Sequence, residues 1–383
     1  MKLWCLRPRS RIAPLIHATS SFCIGVSVLL SSCASPPLQK LVSSDELKSE
    51  VPTDFRQQMD AKDIPVVDVQ SSRKSEESQP IETSKKGVKK GRVVKVGREK
   101  NDSHSSGLSK STVAGAGVDF FVPRQMALNP ILIGEKHIFD VSYLGVVAGD
   151  CDMEVAPFKE IEGRKVYHIK GVSRSGPVFS MIYRINDEME SFFDAESLAS
   201  YRFHIMFNES RFTGDAIQLV EPRKKKTFFW SRTNHTSNGF KEKKYEEDTT
   251  GWVVDSFAAV YFIRTLELKD GDIIKFPLVS EGKQLEGRVQ VLGRESFDAP
   301  FGKVRAIKMK IDADYQGRFK KRGDSFLWLT DDEKRYVLRM DASVKLGSVR
   351  ANLRQIIPGT GKIEMSSQYR ERSQALKGGA PEL

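Results

Sequence analysis

Polypeptide chemistry needs clustered donors, acids and nucleophiles, and this sequence offers few of them. Downstream of residue 33 stand His104, His137, His168, His204 and His235, and no two are at the i, i+2 or i, i+4 spacing that presents two imidazoles to one metal. There is no HExxH and no phosphate-cradling glycine loop, and Gly171-Val172-Ser173-Arg174-Ser175-Gly176 misses the GxSxG nucleophile elbow by one position. No metal, no cofactor and no assigned catalytic residue follow from these patterns. Cys151 lies between Asp150 and Asp152, whose charges disfavour the thiolate a nucleophile needs, so a buried thiol is expected there. Tyr183, Arg184, Asp187, Glu190 and Asp194 could form a polar cluster at a cavity rim. A carboxylate pair drawn from Asp187, Glu190 and Asp194 could supply the acid and base of glycan hydrolysis. The plainer expectation is that Asp187 and Asp194 cap turns and that Arg184 pairs with a surface carboxylate.

These residues fall in a region that must be β-rich to position them. Period-two alternation recurs at residues 135–143, 166–174, 189–193, 273–278, 285–292, 304–311, 335–340 and 348–356. Turn signals separate the segments, among them Glu162-Gly163, Asn238-Gly239, Asp270-Gly271, Glu281-Gly282 and Phe301-Gly302. Gly145 and Gly149 bracket Val146-Val147-Ala148, which reads as a strand end and a tight connection. Asp255 to Leu266 breaks the period: Asp255 or Ser256 is placed to cap a helix with Phe257, Val260, Tyr261 and Arg264 on one face. It reads as the only sizeable helix, with a short turn at 178–183 introduced by Pro177. The fold class expected is all-β and mainly antiparallel: a curved sheet, half-barrel or barrel-like sandwich with one flanking helix.

The first 32 residues carry Lys2, Arg7, Arg9 and Arg11 with no acid, then an apolar run from Phe22 to Leu30, the layout of a secretory signal. Leu30-Ser31-Ser32-Cys33 resembles the lipobox of bacterial lipoproteins, which implies acylation of Cys33 and a membrane anchor; several acyl chains hold a protein stably where one does not. Ala34 in place of Asp implies, by resemblance to enterobacterial sorting, the outer membrane. Cys5 and Cys23 leave with the signal, so no intramolecular disulfide is possible. Residues 33–118 hold 15 Lys plus Arg and 12 Asp plus Glu with Phe55 as the sole aromatic, too little apolar surface to offset the entropy of ordering, and a disordered linker is expected. Within it Lys85 to Lys100 sets eight bases against one acid and could meet an anionic envelope polymer. Export and the lack of interleaved aromatics exclude a nucleic-acid partner. The net charge of +11 thus divides into +4 in the signal, +3 in the linker and +4 in the remaining 265 residues. No run of 18 apolar residues follows residue 35, which excludes a multi-span helical membrane protein. One domain is expected over residues 119–371, with a disordered tail over 372–383.

Six blocks in order carry a family resemblance: GEKHIFDVSYLGVVAGD from Gly134, YRINDEMESFFD from Tyr183, DSFAAVYFIRTL from Asp255, VLGRE from Val291, FGKVRAIKMK from Phe301 and WLTDDEKR from Trp328. Over residues 133–357 the chain resembles the bacterial exported proteins whose domain of unknown function is numbered 3108. The resemblance implies an envelope protein with a mostly β fold and supplies no reaction, substrate or catalytic residue. The linker and the basic insert Arg223 to Lys226 depart from the family pattern. Three functional expectations follow: a tethered module that binds an envelope lipid, lipoprotein or glycan; a glycan-acting hydrolase using paired carboxylates; or an interaction scaffold with a filled core.

Overall fold

The computed structural model describes residues 48–64, 126–314, 324–343 and 347–378. Two-residue periodicity is realised most plainly in β3 (Lys136–Tyr143), where His137, Phe139 and Val141 are buried and their neighbours are half-buried. From there the chain meanders through β4 (Val146–Ile161), β5 (Arg164–Ser175), β6 (Asn186–Asp194), β7 (Ser200–Asn208), β8 (Phe212–Glu221), β9 (Lys226–His235) and β10 (Gly239–Asp248), each antiparallel to the one before. A second meander follows the two-residue β11 (Val254–Asp255): β12 (Ile273–Ser280), β13 (Lys283–Ala299), β14 (Gly302–Asp314), β15 (Ser325–Thr330), β16 (Val337–Ser343) and β17 (Ser348–Ile357). β17 pairs antiparallel with β3, so the two meanders form one curved sheet whose order runs from β10 through β3 and β17 to β12 and β11. The expected mainly antiparallel all-β class is what the chain adopts, with β11 against β12 as the parallel exception. The sheet is curved without closing into a barrel, since β10 and β11 end it.

Tight hairpins set the registers. Leu144-Gly145, Glu162-Gly163 and Glu281-Gly282 each place two successive residues at positive φ, the geometry that matches the right-handed twist of the flanking strands. The turn expected around Val146-Val147-Ala148 is instead confined to Leu144-Gly145, and Val146 already begins the 16-residue β4. Gly149 fits where it is because β5 crosses closely: a Cβ there would lie 1.9 Å from the Arg174 carbonyl oxygen.

Helix α1 (Pro177–Ser180) is the expected turn with Pro177 in its first positions. Helix α2 (Ala258–Arg264) is buried on every side, so it sits against the inner face of the sheet as core rather than as a cover with one wet face. Both Asp255 Oδ1 bonds cap it, accepting from the N–H groups of Phe257 at 2.9 Å and Ala258 at 2.8 Å. Its entry ring, Phe257, occupies a slot that only glycine leaves open: a Cβ on Gly171 would stand 2.7 Å from Phe257 Cζ. At the other end of α2 the fully buried Arg264 makes a bidentate pair with Glu135 at 2.6 and 2.9 Å and donates to the carbonyls of Pro130 and Lys334. A second sizeable helix, α3 (Ser367–Gly378), exceeds the expectation of one and runs across the boundary at 372 where a tail was expected. It follows a small separate sheet of β2 (Leu128–Asn129) and β18 (Glu364–Met365).

The described residues 48–64 lie inside the stretch expected to be linker, and they are docked. A 3-10 helix (Thr53–Met59) places Val51, Phe55 and Met59 on Ile217, Leu219, Phe228 and Trp230, the outer face of β8 and β9. Arg202 donates to the carbonyls of Gln58 and Met59, and β1 (Lys62–Asp63) pairs with the end of β4. Phe55 was legible as the sole aromatic of that stretch, and it is the residue that holds the strap. Phe55→Ala is expected to remove about 3 kcal/mol of local docking, roughly a hundredfold in the opening equilibrium, because a fully buried ring is lost from a small satellite cluster. Limited proteolysis should then cut within 48–64 far faster while the melting of the main core changes little; an unchanged cleavage rate would show that the ring does not anchor the strap.

Candidate functional site

β7 presents Phe203, Ile205 and Phe207 on the inner face, with Arg202, His204 and Met206 turned the other way. Across the ladder Ile205 faces Ala216 and Phe203 faces Gln218 on β8, and Gln218 faces Phe229 on β9. Together with Phe212 these side chains floor a groove of about 140 Å³. Its roof is Val279 and Ser280, the last residues of β12, with Glu281 of the β12–β13 turn. The turn is pinned there by three hydrogen bonds besides the backbone ladder: Gly282 N–H to Gln218 Oε1 at 2.8 Å, Thr227 Oγ1 to the Gly282 carbonyl, and Tyr245 Oη to the Glu281 carbonyl at 2.6 Å. Gly282 is required twice over, by its φ of 69° and because a Cβ would lie 2.6 Å from Phe229 Cβ. The rim is polar: Lys243 is tied to Glu281 at 3.3 Å, whereas Lys241 has no carboxylate partner among the described residues. The interior is apolar and aromatic, with no opposed carboxylates in its lining.

The sequence-derived polar cluster is divided by the fold. Tyr183 and Asp187 do meet, joined by Glu209, at the Phe207 end of the groove. Tyr183 Oη donates to Glu209, whose carboxyl is in turn hydrogen-bonded to Asp187, and Asp187 Oδ1 accepts from the Asn208 N–H at 2.9 Å. Arg184 adjoins them with its side chain exposed and without a carboxylate partner among the described residues, in place of the expected surface pair. Glu190 is elsewhere: three positions along a strand from Asp187, it points to the opposite face and pairs with His168 at 3.1 Å. Asp194, at the far end of β6, is held by Arg164 through two hydrogen bonds and caps the following turn through the N–H groups of Glu196 and Ser197. The five residues therefore do not share one cavity rim, and the capping role expected of Asp194 is the one it has.

Electrostatics follow this division. The His168 bond and charge hold the Glu190 carboxyl down to about 2. Burial, then the neighbouring Asp187 charge, push Glu209 up to about 8, and burial raises Asp187 to about 6. Two carboxyl groups hydrogen-bonded to each other thus share a proton into the neutral range. A group with a raised folded value binds more protons folded than unfolded between its two values, so its contribution to stability falls as pH rises through that window. Between about pH 4 and pH 8 the pair's contribution is expected to shrink as pH rises, so the stability of the wild type relative to Glu209→Gln should fall across the range; denaturant unfolding of both proteins measures the difference, and a difference that does not change with pH would contradict the shared proton.

Cys151 is buried as expected, and burial first, then the flanking aspartates, raise its thiol to about 11. His137 is buried and held neutral by burial and the nearby Arg264 charge, its Nε2 accepting the Val337 N–H at 3.1 Å. His204 pairs with Asp215 at 3.0 Å on the outer side. Among the described residues no group of three or more His, Cys, Asp or Glu side chains is arranged to hold a metal, and no helix is long and apolar enough to cross a membrane. Trp328 packs in the core as expected, and Thr330 and Asp332 organise the turn to β16. Sequence reasoning missed Glu209, the groove aromatics and Lys241. The alternation Phe203, Ile205, Phe207 against Arg202 and His204 was the signal available for the groove; Glu209 had none, because its partners are assembled only by the β6–β7 pairing. Cys33 and Lys85 to Lys100 lie outside the described residues.

Comparison with known proteins adds to this picture. No curated protein matches the chain. Among solved structures, a beta-barrel-like protein of the domain of unknown function DUF1849 from Brucella abortus is 12% identical, over 62% of this chain and 99% of its own, with a TM-score of 0.37. A candidate lipoprotein from Parabacteroides distasonis is 7% identical, over 61% of this chain and 100% of its own, with a TM-score of 0.29. An exported-protein candidate with a YmcC-like fold from Bacteroides fragilis is 12% identical, over 61% of this chain and 99% of its own, with a TM-score of 0.29. A family model matches residues 138–354, a span that takes in β3 through most of β17 and therefore both the groove and the buried carboxyl pair. With that span exceeding half the chain, the protein belongs to the family of proteins of unknown function DUF3108.

Proposed function

We propose that this protein is a binding module of the bacterial envelope that holds an acyl chain of an anionic amphiphile in the groove between β7–β10 and the β12–β13 tip. The observation that carries the reading is the lining: Phe203, Ile205, Phe207, Phe212 and Phe229 supply most of the surface, the charged groups stand at the rim, and Gln218, the polar residue of the floor, has its Oε1 committed to the Gly282 N–H. Apolar walls with few oriented polar groups suit a hydrocarbon chain, for which each buried methylene contributes about 0.8 kcal/mol. A glycan would need many placed donors and acceptors. Lys241 is the charge that would meet a phosphate or carboxylate headgroup. Of the alternatives, hydrolysis by paired carboxylates loses its support, since Glu190 and Asp194 are committed to His168 and Arg164, and Asp187 and Glu209 bond directly to each other with no room for a water between them.

The anchoring half of the reading rests on Leu30-Ser31-Ser32-Cys33: acylated Cys33 would hold the module at the outer membrane, facing the periplasm, and Lys85 to Lys100 would lie against anionic envelope polymer. Cys33→Ser is expected to release the protein from the membrane fraction of the producing cell; unchanged fractionation would refute the anchor. The binding half is tested by displacement of a fluorescent long-chain fatty acid from the full chain. Unlabelled palmitate and an acyl phosphate should displace it and peptidoglycan fragments should not; displacement by the glycan alone, or no fatty-acid binding, would contradict the reading.

A further inference from the structure

One end of the sheet, where β3 passes to β4, β5 to β6, β7 to β8 and β9 to β10, collects apolar side chains that the fold leaves in water. Eleven large apolar residues are exposed among the described ones, and seven of them are here: Leu144, Val146 and Val147 at the β3–β4 turn, Val178, Met181 and Ile182 on and after α1, and Phe240 at the start of β10. The other four, Ile64, Leu292, Phe301 and Ile357, are scattered along the chain and need no explanation. The first six are between 59 and 80% exposed. They form one surface, because the Gly176 N–H donates to the Ala148 carbonyl at 2.8 Å and ties α1 to the start of β4. A contiguous apolar patch of this kind on a folded domain marks something it binds.

We propose that this end is a membrane-docking surface that lies on the headgroup region of an anionic lipid bilayer. Three observations select a bilayer as the occupant. First, the tether is short. The strap at 48–64 is docked on the domain, so only the stretch from Cys33 to Lys48 separates the expected acyl group from it. Fifteen residues span at most about 50 Å and on average about 20 Å, against a diameter on the order of 45 Å for a domain of this size. The strap begins beside β10, where Glu50 pairs with Lys244 at 2.9 Å, five residues or about 17 Å along the strand from its patch-side end at Gly239. The acyl anchor therefore reaches the bilayer with the patch in contact. Second, the charge is complementary: Arg184, next to Ile182, has no carboxylate partner among the described residues, while the nearby Asp150 and Asp152 are both answered by Arg174 at 3.0 and 3.3 Å. Third, the groove reaches this same end, through Phe207, Phe212, Asn238 and Gly239, so a chain entering it would come from the surface on which the patch rests. The docking surface rests on the anchor proposed at Cys33 and is independent of what the groove holds.

The test uses the full acylated chain purified from membranes and returned to vesicles of phosphatidylethanolamine and phosphatidylglycerol, with an environment-sensitive fluorophore on Met181→Cys. Cys151 is buried and does not compete for the label. A nitroxide carried on the lipid tails should quench the label at 181 and leave one at Glu333→Cys, on the opposite end, unquenched. Val146→Glu with Ile182→Glu should reduce that quenching by roughly fivefold or more, since interfacial binding scales with the apolar area buried. Near-ultraviolet circular dichroism establishes that the variants are folded. A label at 181 as exposed as that at 333, or one shielded without lipid-tail quenching, as a second copy of the chain would shield it, overturns the proposal. Ala216→Trp, which fills the groove, should leave the quenching at 181 intact, so failure of acyl binding and failure of docking are read separately.

Discussion

Replacing Arg264 by Met is expected to destabilise the domain by about 3–5 kcal/mol, the cost of leaving a buried carboxylate without its partner. Arg264 and Glu135 are both inaccessible to water, and their bidentate pair links the end of α2 to the start of β3. The guanidinium also satisfies the carbonyls of Pro130 and Lys334, which a methionine cannot do. For a domain of roughly 250 residues this corresponds to a fall in melting temperature on the order of 10 °C. The double variant Arg264→Met with Glu135→Leu should recover a large part of the loss, because two apolar residues no longer strand a charge. A thermal melt of the three proteins measures both effects. A double variant as unstable as Arg264→Met would assign the cost to the lost carbonyl contacts, and a single variant as stable as wild type would show the pair to be dispensable.

The second large effect concerns the groove. Ala216 is the smallest side chain in its floor, flanked across the ladder by Ile205 and Ser231, so Ala216→Trp places an indole in the space without removing a wall. Excluding about three methylenes of a bound chain costs about 2.4 kcal/mol, or roughly a 50-fold loss of affinity for a long-chain fatty acid. The groove is open at its rim, so the ring meets little of the close packing that makes enlarged core residues destabilising, and the melting temperature should move by only a few degrees. Isothermal titration or fluorescence displacement gives the affinity. Undiminished binding by a folded Ala216→Trp protein would place the chain elsewhere.

Legibility of this protein in its sequence depended on how many faces of each strand are dry. β3, with one buried and one half-exposed face, alternates and was readable. β8 is buried or half-buried throughout because Val253, Val279 and the β12–β13 turn cover Val220 and Gln218 on one side of the sheet and the strap covers Ile217 and Leu219 on the other, so no alternation survives. β10 shows the reverse: GFKEKKYEED is almost entirely exposed and carries no apolar rhythm, yet it pairs with β9 along its whole length. The helix at α2 was visible by its period and by Asp255, but its burial on all sides was visible only in the absence of polar residues from its flanks. The strap escaped because a single Phe in a polar stretch looks like linker until the cluster that receives it is assembled from β8 and β9. The same limit applied to the site: Asp187 was named, and its partner Glu209 was not, since 22 residues separate them and only the β6–β7 register brings them together.

The central claim, that an acyl chain occupies the groove, is tested most directly by photocrosslinking a fatty acid with a diazirine in its chain to the full protein, followed by peptide mapping. The account predicts adducts on Phe203, Ile205, Phe207, Phe212 and Phe229, competed by unlabelled fatty acid and lost in Ala216→Trp. Adducts confined to the outer strip of Ile217, Leu219, Phe228 and Trp230, or unaffected by Ala216→Trp, would contradict it.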